Sequence, residues 1–227
     1  MKNELEKGLY SPEYEKDACG VGLVVNINGS KYHDIIEKGL AVLENMAHRG
    51  AEGADSKTGD GAGIMVQIPH EFILLNGIPV PEKGRYGVGM IFLPKEPRDN
   101  ARFTEIINEC VEANNLTVMH SREVPVDSSI LGKDALATEP EIRQIFITGC
   151  DDPKVLEDKL YLVRKGIERK VLSSSITDKA ACYVVSLSTR TLVYKGMLST
   201  MQLRHYFPDL TNNYFTSGLA LVHSRFS

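Results

Sequence analysis

Asp17-Ala18-Cys19-Gly20-Val21-Gly22, running on into Leu23-Val24-Val25-Asn26-Ile27, governs the reading of the whole chain. A short polar leader with Glu4, Glu6, Glu13 and Glu15 precedes it. The β-rich run Val21 to Ile27 ends at Asn28-Gly29, a turn signal. Removal of the leader after Ala18 would make Cys19 the first residue, with a thiol and a free α-amino group on one residue. A thiol with a base on its own backbone is a self-contained nucleophile. Numbered from Met1, that amino group is locked in a peptide bond, so the chain reads as a precursor. Composition alone favours a structural cysteine at a strand start, since Cys, Gly and Val are common in buried strands. The small residue before Cys19 and the dispensable acidic leader favour the nucleophile.

Strand and helix signals alternate from there on. His33 to Ala47 puts Ile36, Leu40, Leu43 and Ala47 on one helical face. His48 to Gly63 breaks all periodicity. Ile64 to Ile68 and Tyr86 to Leu93 read as strands, and Pro97 with Asp99 introduces a helix from about Ala101 to Ala113. Thr117 to Val126 and Ile142 to Thr148 read as strands, and Asp152-Pro153 opens a long helix to about Leu172. Ala181 to Leu187 and Thr191 to Tyr194 are expected to form a hairpin across Ser188 to Arg190. A short helix over Met201 to Tyr206 and a strand over Leu219 to Val222 follow. Strands that are sometimes neighbours and sometimes separated by helices suggest an α+β fold with helices packed on sheets. The stop at His223-Ser224-Arg225-Phe226-Ser227, directly after a strand, suggests a piece of a longer polypeptide.

The chain has 227 residues, 42% hydrophobic and 25% charged, an ordinary globular composition. A net charge of −4 without a basic face excludes nucleic acid as a partner. No apolar run approaches the roughly 18 residues of a membrane span, and the acidic N-terminus is no secretory signal. Arg164, Lys165, Arg169 and Lys170 read as a solvated helix face. Cys19, Cys110, Cys150 and Cys182 are far apart without a CxxC pair, which supports neither a disulfide framework nor a metal site. A reducing cytoplasm fits. Cys110 and Cys182 read as small buried hydrophobes.

The segment His48-Arg49-Gly50-Ala51-Glu52-Gly53-Ala54-Asp55, continuing to Thr58-Gly59-Asp60-Gly61-Ala62-Gly63, invites a phosphate-cradle reading. The spacing rejects it, because no lysine follows the glycines and no helix opens at Gly63. It also follows a helix and precedes a strand, the reverse of a nucleotide loop. It does hold Arg49, a permanent cation with a fixed fork of donors. Arg225, at a strand end, can bind the α-carboxylate of an amino acid in a bidentate pair. His48, Asp55, Asp60, Asp178 and Ser173 to Ser175 do not make a Ser/His/Asp triad, since nothing fixes their mutual geometry.

Taken together, Asp17-Ala18-Cys19-Gly20-Val21-Gly22, Ala47-His48-Arg49-Gly50-Ala51, Thr58-Gly59-Asp60-Gly61-Ala62-Gly63-Ile64 and His223-Ser224-Arg225-Phe226-Ser227 resemble the amidotransferase (glutaminase) domain of the glutamate synthase large subunit. That domain is a class II glutamine amidotransferase. The resemblance implies a four-layer αββα sandwich of two antiparallel sheets, of the N-terminal nucleophile hydrolase type. It implies a leader over residues 1–18 and, over 19–227, the N-terminal part of the domain, truncated at its C-terminal end. Cys19 is then the nucleophile, Arg49 the arginine beside it and Arg225 the holder of the glutamine α-carboxylate, with Phe226 and Ser227 lining the same pocket. No metal is implied. The family's oxyanion-hole Asn-Gly pair and the acidic residue that reads the substrate amino group lie downstream of the last residue here. So do the synthase domains with FMN and an iron–sulfur cluster, and the site of a small electron-donor subunit. The fragment alone is therefore expected to be nearly inactive. Two rival readings stay open: another N-terminal nucleophile amidohydrolase, and a non-catalytic module with the same fold.

Overall fold

A computed structural model describes residues 19–47 and 57–225. They form two antiparallel four-stranded sheets with helices, an α+β fold. The first sheet has the order β1-β8-β2-β7, built from β1 (Gly20–Val25), β8 (Leu219–Ser224), β2 (Ala62–Gln67) and β7 (Thr191–Gly196). The second has the order β4-β5-β3-β6, from β4 (Thr117–Glu123), β5 (Glu141–Thr148), β3 (Gly87–Leu93) and β6 (Tyr183–Ser188). First and last strands of the described chain are thus neighbours, with Gly20 opposite Ser224 and Val25 opposite Leu219.

Helix α1 (His33–Asn45) lies on the first sheet through the face carrying Ile36, Leu40 and Leu43, each at most 1% exposed. Gly39 and Gly22 let it come close. A Cβ on Gly39 would stand 2.6 Å from the Ala220 Cβ, and one on Gly22 would stand 2.4 Å from Val42 Cγ1. Side chains alternate across a strand, so Val21, Leu23 and Val25 point away from α1. They are 64%, 62% and 54% exposed, which leaves the opposite face of β1 open.

Helices α3 (Pro97–Glu112) and α5 (Pro153–Ser173) cover the second sheet and pack on each other. Both start as their sequences dictate. Pro sits at the first turn, where its missing N–H costs nothing, behind an acidic N-cap. Glu96 accepts from Asp99 N, and Asp152 accepts from Lys154 N and Val155 N. Phe103, Ile106, Leu156, Leu160 and Val163 meet Ile91, Ile145 and Ile147 in one apolar cluster. The other face of this sheet, with Val88, Met90, Ile142 and Phe146, joins α1 and the first sheet in the larger cluster.

The expected hairpin is corrected. β6 and β7 do follow one another across Thr189-Arg190, but they enter different sheets: β6 pairs with β3, and β7 pairs with β2. Both strands have apolar partners on offer, so the tight turn serves as a corner. Glu157 of α5 holds that corner, accepting from Ser188 Oγ at 2.7 Å, Thr189 N at 2.6 Å and the Thr189 hydroxyl. Helix α3 begins four residues ahead of the expected Ala101, at Pro97. The short helices α2 (His70–Leu75) and α4 (Lys133–Thr138), six residues each, carried no periodic signal. Helix α6 (Gln202–Tyr206) agrees with expectation.

Candidate functional site

Cys19 is exposed and lies one residue ahead of β1. Arg225 lies one residue beyond β8. Because Gly20 is opposite Ser224 in the antiparallel ladder, the two flank the same pair and stand at the same end of the first sheet. The start of β2 comes to that end as well, since Ala62 is opposite Ser224 on its other side. Three segments far apart in sequence are thereby brought together, around Cys19, Asp60-Gly61 and Arg225.

Two glycines of Thr58-Gly59-Asp60-Gly61-Ala62-Gly63, Gly59 and Gly63, allow close approach of neighbouring segments. A Cβ on Gly59 would stand 2.2 Å from Ser199 N and 2.4 Å from the Leu198 carbonyl. One on Gly63 would stand 2.3 Å from His223 Nε2. Gly61 takes φ +119°, a backbone that side chains rarely adopt, and its N–H donates to Leu198 O at 3.2 Å. Asp60 is the one ionisable side chain in this pinned stretch. Its Oδ2 accepts from Arg225 Nη2 at 3.2 Å.

Arg225 is itself held at its backbone. Its N–H donates to Gly61 O at 2.7 Å, and His223 Nδ1, 3.1 Å from Arg225 O, donates to that carbonyl. Arg225 has φ +84°, a conformation that costs a non-glycine residue about 1–3 kcal/mol. The side chain is 21% exposed and that of Asp60 32%. Beside them, Ser224 Oγ is fully buried without a hydrogen-bond partner.

Arg49, Phe226 and Ser227 lie outside the described residues, as do His48, Asp55 and the leader over 1–18. The remaining triad-like groups serve the fold. The Asp178 carboxylate accepts from Ala181 N at 3.2 Å, and the Ser173 and Ser174 hydroxyls donate to carbonyls of α5. Arg164, Lys165 and Lys170 pair with Glu168, Glu168 and Glu109 on the solvated side of α5. Cys110 is buried as expected; Cys182 is only partly so, yet burial pushes its thiol up to about 11. The four cysteines are unpaired. Among the described residues no group of three or more His, Cys, Asp or Glu could hold a metal ion, and no helix is long and apolar enough to cross a membrane. These residues do not fit an iron–sulfur cluster, which needs clustered thiolates.

A cleft of about 330 Å³ lies elsewhere, between α3 and the edge strand β4. It is floored by Ile91, Ile107, Val118 and Ile145, with Asn108 and Arg143 at its rim. It does not contain the Cys19 end of the first sheet. Asp60 is the site residue that sequence reasoning set aside. Its signal was its place between glycines, whose spacing shows only in three dimensions.

The sequence pattern of the "Glutamine amidotransferases class-II" matches residues 19–227, beginning at Cys19 itself. The chain is 41% identical, over 99% of its length, to the glutamate synthase [NADPH] large chain of Bacillus subtilis. It is 43% identical, over 98%, to the glutamate synthase [NADH] of Saccharomyces cerevisiae. To the ferredoxin-dependent glutamate synthase 2 of Synechocystis it is 40% identical over 94%. It spans only 15%, 11% and 14% of the length of these relatives, respectively.

Proposed function

Since the chain belongs to the class II glutamine amidotransferases, we propose that it hydrolyses the side-chain amide of glutamine, with Cys19 as the nucleophile. The observation that carries this reading is the ladder register: Gly20 pairs with Ser224, so Cys19 and Arg225, each one residue further on, belong to the same end of the first sheet. A thiol and a guanidinium there suit a substrate with an amide at one end and an α-carboxylate at the other.

Removal of residues 1–18 frees the α-amino group of Cys19. That amine takes the thiol proton, and the sulfur attacks the amide carbon. The C–S bond forms and the carbonyl electrons move to oxygen. On their return the C–N bond breaks, and the nitrogen leaves as ammonia with the proton from the amine. Water then adds to the γ-glutamyl thioester, glutamate departs and the thiol is restored. The thiolate, not the thiol, is the nucleophile, and a cation beside the sulfur favours it. Arg49 is assigned that part from its motif alone. Arg225 is assigned the α-carboxylate as a bidentate fork, and Phe226 and Ser227 are assigned to the same pocket from their motif alone.

In the longer protein, ammonia passes to a synthase region that adds it to 2-oxoglutarate, giving a second glutamate. FMN and an iron–sulfur cluster belong to that region. The named relatives use NADPH, NADH or ferredoxin at nearly equal identity to this chain, so the electron donor, or a small subunit supplying electrons, is chosen outside it. Unpaired cysteines agree with a cytoplasmic protein. The test is glutamine-dependent ammonia release by the complete polypeptide. Cys19→Ala should lower it by more than about 10³-fold, and retained activity would refute the assignment.

A further inference from the structure

We infer that Asp60 is a positioning residue: it presets the Arg225 guanidinium for the substrate α-carboxylate. The inference rests on the glutamine reading above and adds to it a residue that never touches the substrate. Asp60 and Arg225 are 165 residues apart in sequence, yet Oδ2 and Nη2 are 3.2 Å apart. Asp60 cannot drift, because Gly59 is pressed on the backbone of Leu198 and Ser199 and Gly63 on the His223 ring. Arg225 is tied to the same segment through Gly61 O. One rigid stretch therefore fixes both the backbone and the side chain of the arginine.

Stability does not explain the pair. With side chains 32% and 21% exposed, an ion pair adds little to folding. A long arginine side chain, by contrast, loses much rotamer freedom when it is ordered. Ordering it before substrate arrives is worth about two- to tenfold in affinity. The gain concerns only ligands that use the guanidinium, so it must depend on the α-carboxylate.

The experiment uses the complete polypeptide, with glutamine as substrate and 4-aminobutanamide as competitor. The competitor keeps the side-chain amide and the amine but lacks the α-carboxylate. Unmodified protein should hold glutamine at least about tenfold more tightly. Asp60→Ala should raise the KM for glutamine about two- to tenfold, change kcat less than about twofold, and leave the inhibition constant of 4-aminobutanamide unchanged. Asp60→Asn keeps an oxygen acceptor and should recover most of the loss; it also serves if the alanine variant does not fold. An unchanged KM for glutamine, or an equal weakening of both ligands, overturns the inference while leaving the glutamine reading intact. If the unmodified protein does not distinguish the two ligands, the role of Arg225 itself fails and that of Asp60 with it.

Discussion

Arg122 of β4 reaches both carboxylate oxygens of Asp209 at 2.8 Å, with the arginine side chain 11% exposed and the aspartate 5%. Tyr194 of β7 donates to the same carboxylate at 2.7 Å and accepts from Gln144 Nε2 of β5 at 2.9 Å. The two sheets are thus joined by a buried polar network as well as by apolar contact. Burial holds the Tyr194 hydroxyl well above its ordinary pKa, with the Asp209 charge adding to the effect, so it stays a donor at any working pH. Removing one partner of a buried charge pair typically costs about 3–5 kcal/mol. Arg122→Ala should therefore lower stability by about that much in chemical denaturation. Tyr194→Phe, which keeps the ring against Phe207 and Phe215, should cost about 1–3 kcal/mol, because the buried Gln144 Nε2 donor loses its acceptor while Asp209 keeps Arg122.

Gly39 carries a second prediction. Alanine there gains roughly 1 kcal/mol of helix propensity. Its Cβ, however, would stand 2.6 Å from that of Ala220, and overpacking costs about 1–3 kcal/mol. Gly39→Ala should be net destabilising by up to about 2 kcal/mol, read as a lower thermal midpoint.

The corner between β6 and β7 contributes to the acid response, alongside other carboxylates held low, such as Glu37 and Glu168. Burial would raise the Glu157 carboxyl, but hydrogen bonds from Thr189 and Ser188 outweigh it and hold it below its ordinary value. A carboxylate depressed in the folded state binds fewer protons folded than unfolded near its pKa, so it stabilises at higher pH. Its contribution is in full above about pH 4.5 and is lost as the pH falls through the folded value. Stability measured from pH 7 downward should drop in that window, and Glu157→Gln should flatten this part of the profile.

Elements with strong local signals were legible in the sequence. The helix opened by Asp152-Pro153 spans Pro153–Ser173, as the N-cap and apolar spacing require. The strands at Ile64, Ile142 and Leu219 stand within two residues of expectation. What local pattern cannot carry is partner choice. Ser188 to Arg190 reads as a hairpin turn, but which sheet takes each strand depends on β2 and β3, more than 90 residues earlier in sequence. The site shows the same division. Cys19 and Arg225 were legible as types of chemistry, and their shared sheet end emerges only from the β1–β8 register. Asp60 looked like one more loop acid until Gly59 and Gly63 proved to be pressed on Leu198 and His223.

An N-terminal nucleophile for glutamine at Cys19 leaves a covalent signature. The most direct test treats the complete polypeptide with a glutamine analogue bearing a diazoketone in place of the side-chain amide, followed by peptide mapping by mass. One adduct is predicted, on a peptide that begins at Cys19, blocked by excess glutamine. An adduct on Cys110, Cys150 or Cys182 instead, or a labelled Cys19 still joined to Ala18, would contradict it.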